Sequence, residues 1–205
     1  MATVTEAWTR IERWLRQYTP RSGALLAGPA TSDLIRTAED QTGVAFPAEL
    51  VESLLRHDGL TEWANLLPEA TPLGVKHIIE QYEIRMDIAP DVDGFTVHAP
   101  GAEPWWHDLW LPFADAGFGL QVIDLRPGPQ RGRVGMAPAS NPADFSDAWP
   151  SLTAYLTAVA DALEQGGAVG EWHPYVTDDE TLWWDLAGKT EVNGELLRPA
   201  PPNGS

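Results

Sequence analysis

The stretch Trp110–Gly135, WLPFADAGFGLQVIDLRPGPQRGRVG, constrains the fold more than any other part of this chain. Its apolar runs are short and bounded by Gly and Pro clusters. Leu120, Val122 and Leu125 fall in the second run, with Asp124 interrupting it near its end. That pattern predicts two or three short strands joined by tight turns, an antiparallel meander. The segment carries no nucleophile, no metal-ligand pair and no phosphate loop, so it points to a fold before it points to a reaction.

Helical periodicity surrounds this strand region. Trp8, Ile11, Leu15 and Tyr18 recur at helical spacing, with Trp14 off the centre of their stripe, and predict a helix over about 4–18 that ends before Pro20. A second helix starts near Thr31-Ser32-Asp33 and stops at Gly43; a third starts at Pro47 and runs to Gly59. Residues 60–74 read as irregular. A fourth helix is expected over 75–88 and a mobile loop over 89–104. Strands follow from about 109 to 136, then a second loop over 137–147. Trp149-Pro150-Ser151 opens a last helix whose periodic face is Leu152, Tyr155, Leu156, Val159 and Leu163, closed by Gly166-Gly167. Residues 176–186 add an edge strand, and 199–205 form a loose tail. Strands grouped together, not alternating with helices, argue for an α+β fold: N-terminal helices packed on a central antiparallel sheet with a C-terminal helix. We expect one such domain over 1–198.

Composition excludes several classes. The chain has 205 residues, 43% of them hydrophobic, and ten tryptophans, enough for a real core. It has no cysteine, so disulfide, thiol and cysteine-metal chemistry are excluded. Charged residues interrupt the N-terminus from Glu6 onward, unlike a signal peptide, and no apolar run approaches the ~18 residues of a membrane helix. A cytoplasmic location is expected. The net charge is −17, unevenly placed. Residues 1–36 hold five arginines against three acids, which leaves −19 for the remainder. No Lys or Arg lies between Arg85 and Arg126, or between Arg133 and Lys189. Such a field repels nucleic acid and anionic membranes and steers basic proteins; solubility alone is the plainer explanation.

Motifs for catalysis are missing. The five histidines, at 57, 77, 98, 107 and 173, include no i, i+4 pair, and there is no HExxH, G-x-S-x-G, GxxxxGK[ST] or GxGxxG. His107-Asp108, Asp178-Asp179-Glu180 and the Asp87/Asp91/Asp93 group suggest acid–base or cation sites, but read more simply as a loop, a solvated turn and a loop without the closing Glu of a calcium site. Catalytic, cofactor and metal residues are accordingly expected to be none.

Taken in order, these pieces resemble the SUKH superfamily, in the branch named for fungal cell-wall-assembly regulators (Smi/Knr-like), over about Trp8 to Leu186. The resemblance is carried by Ile35–Glu39 with Gly43–Leu50, in which Phe46-Pro47 stands for the family's Leu-Pro joint. His57-Asp58-Gly59, Leu111–Asp115 with Gly119–Asp124, Arg131–Gly135 and Trp149–Leu163 continue it. The chain departs from the family pattern after Asp115, where AGFG replaces a turn with a polar Asn or Asp. The resemblance implies a non-enzymatic protein-binding domain of the bacterial immunity type. It would neutralise a cognate toxin with a basic site, such as a nuclease, whose site must hold phosphates. A regulatory scaffold of the fungal kind is the alternative, and a hydrolase built on scattered carboxylates a third. The expected partner is a basic toxin domain, not nucleic acid or membrane, with a monomer favoured. The expected contact residues are Asp58, Glu62, Glu103, Trp105, Trp106, Asp108 and Asp115. Glu39, Pro47, Gly59, Asp124 and Trp149 are expected to be structural.

Overall fold

The computed structural model describes residues 3–203. Helix α1 (Val4–Tyr18) opens with a reciprocal cap: Glu6 N donates to Thr3 Oγ1 at 3.1 Å and Thr3 N donates to Glu6 Oε2 at 2.8 Å. Its buried stripe is Val4, Ala7, Trp8, Ile11, Trp14 and Leu15. Trp14 is therefore core, not peripheral to the stripe, and its indole N–H donates to the carbonyl of Pro201 at 3.0 Å. Pro20 starts a short helix α2 (Pro20–Ala24) that periodicity did not reveal. Next come α3 (Ser32–Thr42), capped by Thr31 and closed by left-handed Gly43, and α4 (Ala48–Leu54), which starts after Pro47 and ends earlier than expected.

Five strands form the central sheet: β1 (Thr71–Pro72), β2 (Trp110–Asp115), β3 (Gly119–Asp124), β4 (Val134–Pro138) and β5 (Asp144–Trp149), antiparallel in the order β1-β2-β3-β4-β5. Every residue of β3 is buried, as the middle strand of a sheet covered on both faces must be. The segment expected as a loop over 137–147 supplies the edge strand β5 in its second half. Helix α5 (Val75–Ile88) packs along β2, and α6 (Leu152–Gln165) joins α1 to the sheet, with the Tyr155 ring 5.9 Å from that of Phe113. Arg85 of α5 is buried. Its guanidinium donates to the carbonyls of Ala137 and Pro138 at 3.1 and 3.0 Å and lies over the Trp105 ring at 4.7 Å.

The C-terminal region holds more structure than one edge strand. Strands β6 (His173–Thr177), β7 (Leu182–Asp185), β8 (Glu191–Val192) and β9 (Glu195–Pro199) form a second antiparallel sheet in the order β7-β6-β9-β8. At two to five residues each, these strands are too short to show a periodicity of their own. Residues 199–203 are not a loose tail: Pro199 ends β9, Ala200 is buried, and Asn203 N donates to the carbonyl of Glu164 at 2.8 Å. One continuous apolar cluster runs from Val4 to Ala200.

Candidate functional site

The expected contact residues are mostly engaged within the chain. Asp58 Oδ1 accepts from Val75 N at 2.7 Å, so this carboxylate caps α5 from across the fold. The cap needs Gly59 and Gly74 in backbone contact: Gly59 has φ 72°, and a Cβ there would strike the Gly74 main chain. Glu103 is held by Arg126 at 2.8 Å and Arg133 at 2.7 Å, and buried Asp124 accepts from the same two arginines at 2.7 and 3.0 Å. Burial alone would raise both carboxyls; the arginine hydrogen bonds outweigh it and hold both below their usual range. Those guanidiniums also lie over Trp110 at 5.2 Å and Phe145 at 4.1 Å.

Trp106 is fully buried against Trp110, so it cannot anchor a partner. Trp105 is half-buried, with its N–H bound to Ala139 O at 3.0 Å. Asp115 accepts from Gly117 N at 2.7 Å and so shapes the β2–β3 turn. Asp108 reaches solvent, 2.8 Å from His107 Nδ1, and Glu62 is exposed. Asp108 and Asp115 flank opposite ends of β2 and are not brought together. The structural expectations fare differently. Glu39 Oε1 accepts from Phe46 N at 2.8 Å, fixing the α3–α4 joint that Pro47 completes as the residue before α4. Trp149 packs at 6.1 Å from Tyr155. Three of the acids weighed as cation sites have protein partners: Asp178 with Arg198, Asp179 with Arg21, and Asp93 with Thr96.

A different surface draws chemistry-bearing groups together. An open cleft of about 900 Å³ lies where the central sheet, the N-terminal end of α6 and the turn before β6 meet. Its floor includes Gln121 of β3, Met136 of β4 and Tyr155 of α6, and Trp149 and Trp172 stand at its sides. Four acids line it, Glu69, Asp144, Asp147 and Glu171, with no Lys, Arg or His among the lining residues.

Two features mark this cleft as more than a surface dip. Gln121 Nε2 donates to Pro68 O at 3.2 Å, which fixes the amide's orientation and leaves Oε1 buried without a partner. The Tyr155 hydroxyl beside it is likewise buried without a hydrogen bond of acceptable geometry. Burial pushes its proton affinity well above that of an ordinary phenol. Glu69 is the second feature. It occupies the Leu67–Ala70 turn with φ 53°, a position glycine normally fills, at a cost on the order of 1 kcal/mol. Burial first, then the charges of Glu171 and Asp185, raise its carboxyl to about 7. A strained backbone carrying a destabilised carboxylate at the mouth of a cleft is the kind of local conflict that accompanies binding.

Sequence reasoning missed this cleft. Glu69 sits alone between Pro68 and Ala70 in a stretch without periodicity, and a positive φ at a glutamate leaves no trace in the sequence. Gln121 carried one signal, a polar side chain inside the most apolar strand.

A family model described as the SMI1 / KNR4 family (SUKH-1) matches residues 29–158, from before α3 to the middle of α6. The chain belongs to this family. It is 27% identical over 126 residues to a KNR4/SMI1 homolog of Kluyveromyces lactis, covering 50% of this chain and 24% of that protein. The chain therefore spans about a quarter of that relative's length. Of the cleft, Glu69, Gln121, Asp144, Trp149 and Tyr155 lie within the family match, whereas Glu171 and Trp172 come from beyond it. No helix among the described residues is long and apolar enough to cross a membrane.

Proposed function

We propose that this chain is a non-enzymatic protein-binding domain of the immunity type, which neutralises a cognate toxin by covering a basic surface with its acid-lined cleft. The observation that carries this reading is the cleft itself, with four carboxylates, flanking indoles and no basic side chain in its lining. Aromatic rings supply contact area at an interface, and charge of one sign speeds encounter with a partner of the other. The net charge of −17 extends the same field over the molecule. A toxin that holds phosphates, such as a nuclease, presents the complementary surface. The cytoplasm is where such a partner would be met.

The test is rescue. Where a toxin domain encoded beside this chain arrests growth, co-expression of the chain relieves the arrest, and the purified pair forms a complex that weakens as salt rises. Arrest that persists, with no complex at low salt, refutes the reading. The similarity to the Kluyveromyces lactis protein favours a second reading, a regulatory scaffold with an endogenous partner. Native capture then yields a host protein, and no arrest is relieved.

A further inference from the structure

The cleft has a chemistry narrower than general negative charge. Its carboxylates come from three separate segments: Glu69 from the turn before β1, Asp144 and Asp147 from β5, and Glu171 from the turn before β6. The second sheet adds the charge of Asp185, which acts on Glu69 from β7. Between these rims lie two buried polar atoms with no hydrogen bond of good geometry: Gln121 Oε1, which can only accept, and the Tyr155 hydroxyl, which can donate or accept. Both side chains are more than nine-tenths buried, so bulk water does not complete them. Gln121 Oε1 and the rim carboxylates are therefore acceptors in a cleft flanked by two indoles, Trp149 and Trp172. A ligand that satisfies them must bring several N–H donors, a positive charge and a flat face.

We propose that this cleft is a guanidinium-binding site, in which an arginine side chain projecting from the protein partner lies against the indoles of Trp149 and Trp172 and donates to Glu69, Glu171 and Gln121 Oε1. A guanidinium carries five N–H donors in a rigid plane, pairs with two carboxylates at once and stacks on aromatic faces. An ammonium offers three donors from a point and no face, and its stronger hydration resists entry into a partly dry cleft. The Glu69 carboxyl, raised first by burial and then by repulsion from Glu171 and Asp185, fits this assignment, because one bound cation relieves that repulsion. The chain already shows the same recognition internally, where Arg126 and Arg133 sit between carboxylates and aromatic rings.

This inference rests on the protein-binding reading above, and the probe is chosen to separate the two. Ac-Gly-Arg-Gly-amide, its lysine analogue and its citrulline analogue are titrated into the full chain at pH 8 and low salt. The indole N–H resonances of Trp149 and Trp172 are followed, assigned with W149F and W172F. The arginine peptide shifts both resonances and saturates at millimolar concentration. The lysine peptide binds several-fold more weakly and the neutral citrulline peptide at least tenfold more weakly. Replacing both rim acids, E69Q with E171Q, weakens the arginine peptide at least tenfold, and a urea-unfolding curve of that variant confirms that it remains folded. Equal binding of the citrulline peptide, unchanged binding to the double variant, or no shift at Trp149 and Trp172 overturns the assignment. If the peptides fail while the chain still relieves the toxin's arrest, this site assignment falls and the protein-binding reading stands. If the arginine peptide binds as described and no arrest is relieved, the site stands and the immunity reading falls.

Discussion

Glu69→Gln replaces a carboxyl that the fold holds at about 7, against 4.5 for the same group unconstrained, with an uncharged group of nearly the same shape. Between those two values the folded chain keeps a proton that the unfolded chain has already released. Stability therefore falls as pH rises through this window, and the whole penalty stands above about pH 7. Fully enclosed, a displacement of that size amounts to roughly 3 kcal/mol, at about 1.4 kcal/mol per pH unit. Solvent enters the open cleft and screens the repulsion from Glu171 and Asp185, which reduces the expectation to about 1–2 kcal/mol. The strained φ is common to both chains and cancels. E69Q should then unfold at higher urea than the parent at pH 8 by that amount, and at nearly the same urea at pH 4.5. Urea unfolding followed by tryptophan fluorescence at both pH values checks this, provided the denaturant slope is unchanged. The same variant should bind the partner less tightly, so stability and binding move in opposite directions, as expected where a site stores strain. A gain of equal size at both pH values, or a loss at pH 8, refutes the account of Glu69.

Other residues give sharper structural tests. Asp124→Ala leaves Arg126 and Arg133 without their buried partner and should destabilise the fold by about 3 kcal/mol or more, whereas a loss under 1 kcal/mol would contradict the network's role. Glu12, Glu103 and Asp124 all lie below their usual range, despite burial that opposes it, because arginines and, for Glu12, also His57 bind them. The stability they contribute is present above about pH 4.5 and should be lost as acid titrates them, seen as a falling urea midpoint below pH 4. Gly59→Ala combines a positive φ with collision against Gly74 and should cost about 2 kcal/mol or more in the same assay. Trp14→Phe strands the Pro201 carbonyl and should cost about 1–2 kcal/mol while speeding hydrogen exchange of the Ala200 and Asn203 amides; unchanged exchange there would contradict the docking of that segment.

The central meander was legible because its signal is local. Gly117 turns the chain between β2 and β3, and the apolar runs on either side have the length of strands. The longer helices were legible through stripes such as Leu152, Tyr155, Leu156, Val159 and Leu163. The second sheet was not, because β8 has two residues and β7 four, and pairing with β6 and β9 rather than periodicity holds them. Charge was legible as an amount but not as a place. Asp58, Glu103 and Asp115 looked free in the sequence, yet long-range partners such as Val75 and Arg133 absorb the first two and a local turn the third. Trp105-Trp106 looked like a surface anchor for the same reason: a tryptophan's burial depends on what folds over it, here α5 and Arg85. The cleft joins residues 69, 121, 155 and 171, a convergence no window along the sequence contains.

The most direct test of the central claim is hydrogen exchange of the chain free and in complex with the protein partner captured from its native host. The account predicts protection concentrated at residues 68–70, 134–136, 146–150 and 169–172, around the cleft. It further predicts that E69Q with E171Q abolishes that protection. Protection confined to α5 and the 89–104 loop, with the cleft exchanging as in the free chain, would contradict it.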